Sequence, residues 1–122
     1  MISIALALAL VLPQEEPLTV DKLTYSETYA CAALGFGAQE WLKEGLNGTA
    51  PDAETQRLLT ALEQLTSAAT NALGAARARD GLSDTQVTDA QTAVFTDLGE
   101  NDDETLFALT DLCGTIFGVN FE

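Results

Sequence analysis

The chain contains no histidine, and its single methionine is Met1. Without imidazole it lacks the one side chain whose ordinary titration falls near neutral pH, which excludes Ser-His and Cys-His nucleophile pairs and histidine-ligated zinc. Haem held by His or Met inside a bundle has no donor, and there is no C-x-x-C-H attachment motif. The two cysteines, Cys31 and Cys113, do not form a C-x-x-C pair, and no histidine stands by to lower a thiol pKa, so thiol redox catalysis is not expected. Gly35-Phe36-Gly37 has neither a third glycine nor a preceding strand, so it is no phosphate loop.

Positive charge is also scarce. Five cations, Lys22, Lys43, Arg57, Arg77 and Arg79, face 19 acidic side chains, for a formal charge of -14. Nucleic-acid binding needs clustered cations to replace condensed counterions, and an anionic membrane surface repels such a domain. A basic protein partner fits the balance, although charge of this sign also serves simply to keep an exported domain soluble. No cofactor and no metal site is expected. Glu40 and Glu44 lie four apart on one helical face but beside Lys43 and a loop, which makes them solvent-facing rather than an acid–base pair. The run from Glu100 to Glu104 lacks the glycine and the spaced final glutamate of a calcium loop, and reads as a helix start.

Long apolar runs are missing except at the N-terminus. Ile2–Leu12 is uncharged and apolar, and its eleven residues of helix would cover about 16 Å of a bilayer core of about 30 Å. That length suits the hydrophobic region of a secretory signal, although no basic residue precedes it and no clear cleavage motif follows. Residues 1–14 are therefore expected to be a signal peptide cut between Val11 and Glu16, and 15–122 a helical domain of the periplasm or the exterior, without stable membrane insertion. A short core helix of a cytosolic protein is the alternative.

The remainder reads as all-α. A first helix is expected from about Val20 to Glu44, carrying Val20, Leu23, Ala30, Leu34, Ala38, Trp41 and Leu42 at helical spacing. Thr24 and Glu27 offer a second start one turn later. Asn47-Gly48-Thr49 is a turn and, by pattern, a glycosylation sequon. A second helix starts with Pro51 in its first turn and buries Leu58, Leu62, Leu65, Ala69, Ala72, Leu73 and Ala76, with Arg77 and Arg79 at its end and Gly81 stopping it. Ser83 and Gln86 form a capping box for a third helix bearing Val87, Ala90, Val94 and Leu98 and stopped by Gly99. Asn101 with Glu104 opens a fourth. The fourth, apolar nearly all round, belongs at the centre. Phe36, Trp41, Phe107, Phe117 and Phe121 are expected in the core, with Val119 and Phe121 as a candidate apolar tail for a partner. Short loops favour a four-helix up-and-down bundle.

In a short exported chain an even cysteine count points to a disulfide, and here only Cys31 with Cys113 is available, joining helices 1 and 4. Small residues near the bridge, Gly35, Gly114 and Gly118, would ease the approach. Two buried free thiols are the alternative. The expected function is that of a non-enzymatic binding module of the cell envelope, with no catalytic residues. An acid-response holdase and a carrier of a small apolar ligand between the helices are the competing expectations.

Overall fold

The computed structural model describes residues 19–121. The expected signal peptide and its cleavage site lie outside the described residues. A single 3-10 turn, Val20–Lys22, precedes four helices: α1 Tyr25–Leu46, α2 Ala53–Asp80, α3 Asp84–Gly99 and α4 Asp103–Phe117. Among the described residues there is no strand.

Each boundary follows from local capping chemistry. The later of the two candidate starts is the one used by α1: Thr24 Oγ1 accepts the Glu27 N–H at 3.1 Å, and Glu27 Oε1 accepts the Thr24 N–H at 2.9 Å. Both orphan donors of that turn are thereby satisfied, whereas Thr19 offers no side-chain cap to its own short turn. At α2 the cap is Asp52, whose Oδ1 accepts the Thr55 N–H at 2.7 Å. Pro51 consequently stands just before the helix, not in its first turn. Gly81 ends α2 in the left-handed region at φ 65°. Ser83 and Gln86 close a capping box on α3. Asp102, rather than Asn101, caps α4, accepting the Thr105 N–H at 2.8 Å. Asn101 instead donates from Nδ2 to the Asp97 carbonyl at 2.7 Å, so its amide finishes α3 and is not available to start α4.

Specific contacts give the helices their directions. Tyr25 N–H donates to Asp80 Oδ2 at 2.8 Å, and fourteen residues further along α1 Gln39 Nε2 donates to the Leu62 carbonyl, so α1 and α2 are antiparallel. Gln91 Nε2 donates to Tyr25 Oη and Phe95 meets Tyr29, so α3 runs parallel to α1. Cys31 meets Cys113 while Trp41 meets Phe107, so α4 is antiparallel to α1.

The centre of the fold is α1, not α4 as its apolar composition suggested. Close backbone approaches join α1 to each of the other three helices, and α2 to α4, while α3 leans on α1. Side-chain size is the physical reason. Ala30, Ala32, Ala33, Gly35, Gly37 and Ala38 make α1 a thin rod, and thin rods allow neighbours on several sides at short interaxial distance. Larger residues of the surrounding helices, Leu65, Val94, Leu98 and Leu109, reach in to fill the core against Ala30, Cys31 and Leu34. On α2 the buried stripe includes Leu59 and Ala61 beside Leu62, Leu65, Ala69 and Ala76, while Leu58, Ala72 and Leu73 sit at its edge.

The tightest seam is between α1 and α2. A Cβ at Gly35 would lie 2.5 Å from Thr66 Oγ1 and 3.3 Å from the Thr66 backbone nitrogen. Thr66 cannot easily give way, because its hydroxyl donates to the Leu62 carbonyl at 2.8 Å and accepts from the buried Gln39 Nε2 at 2.8 Å. Gly35 therefore faces α2, not the cysteine pair. At the other end of the seam Arg79 donates to the Leu23 carbonyl at 2.8 Å, anchoring the buried Leu23.

Two measurements check this account. Gly35→Ala is expected to cost about 1–3 kcal/mol through overpacking against Thr66, despite alanine's better helix propensity. Urea unfolding that showed the variant at least as stable would refute the close seam. The second concerns the caps. Thr55 donates its backbone N–H and then its hydroxyl to Asp52, and Thr105 donates its hydroxyl and then its backbone N–H to Asp102, holding both carboxyls below the ordinary 3.8. A depressed folded-state pKa gives stability that is present above 3.8 and lost as pH falls through the folded value. Asparagine caps without titrating. The advantage of the native chain over the double variant Asp52→Asn/Asp102→Asn should therefore shrink as pH drops below 3.8, and a difference in urea midpoint that ignored pH would count against the caps.

Candidate functional site

Cys31 and Cys113 are both fully buried, with sulfur atoms 2.13 Å apart and Cα atoms 5.6 Å apart, so the expected pair stands at disulfide distance between α1 and α4. The glycines near it have separate explanations. Gly114 lies under the ring of Phe121, where any Cβ would collide with the ring, and Gly118 ends α4 at φ 73°. The C-terminal tail is thus folded back onto α4 instead of reaching out. Val119 and Phe121 are half-buried against the core, and Arg57 donates to the Phe121 carbonyl at 3.3 Å.

Beyond the crosslink, α1 and α4 are the walls of a groove of about 350 Å³, closed on its third side by the end of α3. From α1 come Ala33, Leu34, Gly37, Ala38 and Trp41, from α3 Phe95, Leu98 and Gly99, and from α4 Asp103, Leu106, Phe107 and Thr110. Three of these are large aromatics left about half exposed: Trp41 at 55%, Phe95 at 59% and Phe107 at 47%. Expecting Trp41 and Phe107 in the core was wrong, as it was for Phe36, which is 57% exposed on another side of α1. Helical spacing put Trp41 on the stripe of Leu34 and Ala38 correctly, but burial along that stripe gives out where the groove opens.

The aromatics are held in place. Trp41 and Phe107 meet edge to face with ring centroids 5.3 Å apart, forming a ridge between this groove and a second hollow of about 270 Å³. That hollow lies over Leu42, Leu58 and Leu62 of α1 and α2. Phe95 meets Tyr29 edge to face at 5.7 Å, and Tyr29 in turn stacks on Tyr25 at 6.1 Å. Burial, with the neighbouring Tyr25 second, raises the Tyr29 hydroxyl above its ordinary pKa of 10.0. Phe95 was missed by sequence reasoning. Its signal was available as an aromatic lying off the Val87, Ala90, Val94, Leu98 stripe.

Chemically the groove is a largely apolar surface with one acidic residue at its edge. The Thr110 hydroxyl donates to the Leu106 carbonyl at 2.8 Å and so is already partnered. Asp103, the first residue of α4, is the one ionisable side chain lining it. Glu40 and Glu44 are exposed. No group of three or more His, Cys, Asp or Glu side chains suited to a metal occurs among the described residues, and none of the described helices is long and apolar enough to cross a membrane.

Cys31→Ala/Cys113→Ala should lower unfolding free energy by about 2–5 kcal/mol, because the crosslink closes a loop of 82 positions and removes chain entropy from the unfolded state. Urea titration of the unreduced native chain against the variant reads the difference directly, and equal midpoints would show that the crosslink contributes nothing.

No protein family, curated protein or solved structure matches the chain.

Proposed function

We propose that the chain is an exported precursor, with residues 1–14 as its secretory signal and 15–122 as an acidic, non-enzymatic binding domain of the periplasm or exterior. Its groove between α1, α3 and α4 docks apolar side chains of a basic protein partner. The observation that carries the reading is the placing of Trp41, Phe95 and Phe107 about half exposed around one hollow. A small domain gains from burying its large apolar side chains, at roughly 25 cal/mol per Å², so three rings left at one open groove mark an interaction surface. Aromatic anchors of this kind dominate the energetics of interfaces. Export is supported by the apolar Ile2–Leu12 run and by two cysteines at bonding distance, since disulfides persist in oxidising compartments.

A carrier of a small apolar ligand is the second reading, favoured by a groove volume within the range of about 300–1,000 Å³ typical of small-molecule sites. Intact mass of the unreduced protein recovered from the cells that make it distinguishes these. The expected species is shortened at its N-terminus, two hydrogens lighter than the dithiol, and loses no further mass on denaturation. A full-length chain with two alkylatable thiols would overturn export, and a small molecule released on denaturation would turn the reading to a carrier. Uncharged Nile red should gain emission on the native protein and lose it on Gly37→Leu, whose side chain would occupy the groove.

A further inference from the structure

The groove has a length, a floor and a charge, and together they specify an occupant. Resting on the reading of this groove as the binding surface, we propose that it takes a cationic amphipathic helix of a partner protein. The helix lies along α1 and α4 for about two turns, with lysine or arginine side chains over the acidic lip.

Length and floor come from α1. The lining residues run from Ala33 to Trp41, about 12 Å of helix at 1.5 Å per residue, which matches two turns of a docked helix. Packed helices come within 8–10 Å of each other only where the side chains between them are small. Ala33, Gly37 and Ala38 provide such a floor, and Trp41, Phe95 and Phe107 stand as its walls. At Gly37 a Cβ would meet nothing within 4 Å. Six other glycines share that property, so it singles out nothing alone, but Gly37 lines the groove, and the open space beside it is taken to be the groove itself. Apolar anchors at i, i+3, i+4 and i+7 of an incoming helix suit a trough of this shape.

Charge decides the partner's polar face. Asp103 lines the groove, and exposed Glu40, Glu100 and Glu104 stand three, one and three residues from the lining Gly37, Gly99 and Phe107. None of the five cationic side chains lines it. Arg57, Arg77 and Arg79 are committed elsewhere, to the Phe121, Leu82 and Leu23 carbonyls. A second copy of the chain would bring -14 against -14, and residues 1–14 carry no charged side chain to set against the lip. A helix with cations flanking its apolar face matches both features of the site.

Trp41 is the only tryptophan and sits in the groove, so its emission reports occupancy without a label. The probe is a synthetic peptide of about 14 residues, with leucine at i, i+3, i+4 and i+7 and lysine on the opposite face. Added to the full chain, it should shift Trp41 emission to the blue and saturate. Affinity should fall at least about tenfold for Gly37→Leu, for Asp103→Asn combined with Glu104→Gln, and for a peptide with glutamine in place of lysine. Circular dichroism and thermal unfolding would establish that Gly37→Leu is folded. Equal binding of the glutamine peptide would overturn the cationic occupant while leaving the groove as a binding surface. Equal binding of a scrambled peptide of the same composition, or unchanged binding by Gly37→Leu, would overturn both. A native dimer that Gly37→Leu converts to monomer would overturn the proposal in favour of a second copy.

Discussion

The contact between Cys31 and Cys113 fixes the relation of α1 to α4, and the groove exists because of that relation. The two Cα atoms are 5.6 Å apart, and both cysteines are fully buried. Held together there, the helices continue antiparallel, and the space between them further along is occupied only in part, by the Trp41 and Phe107 rings. The crosslink also bears on stability. A domain of about 100 residues has a modest margin, and leaving large aromatics exposed narrows it. Restricting the unfolded chain through a long loop offsets that loss without filling the groove.

The thinness of α1 is the second constraint, and it acts differently on its two sides. Gly35 and Gly37 are two residues apart and so point to roughly opposite sides of the helix. At Gly35 the missing Cβ lets α2 approach until Thr66 touches the backbone; at Gly37 it leaves open floor. One side converts smallness into packing and the other into access. Central placement follows as well, because the small residues between Ala30 and Ala38 admit Leu65, Val94 and Leu109 from the neighbouring helices.

Features set within a few residues were legible in the sequence. The Thr24–Glu27 and Ser83–Gln86 boxes, the Gly81 stop and the four helices needed only local hydrogen bonding and periodicity. The cysteine pair was legible because two cysteines allow one intramolecular bridge. Where two neighbouring residues compete for one role the outcome depends on a third, as when Asn101 turns back to the Asp97 carbonyl and leaves the cap to Asp102. The groove was illegible for a different reason. Periodicity identifies the face on which Trp41 and Phe107 lie, but how far burial extends along that face depends on where α3 and α4 end against α1. The same limit hid the central helix, since apolar composition favoured α4 while packing distance favoured α1.

Acidity connects the local and the global account. Asp52, Asp84, Asp102, Asp103 and Glu104 all lie at helix starts, where negative charge is favoured by the macrodipole and by free N–H groups. Asp52 and Asp102 accept the capping N–H groups of their own helices, and Asp84 is taken up by Arg77. At α4, however, the helix start is also the lip of the groove. A helix N-terminus carries about half a positive charge, and Asp102, Asp103 and Glu104 set three carboxylates against it. The lip therefore stays negative after the dipole is neutralised. On the proposed reading, the carboxylates that begin α4 thus serve two ends, favouring the helix start and giving the groove its negative edge.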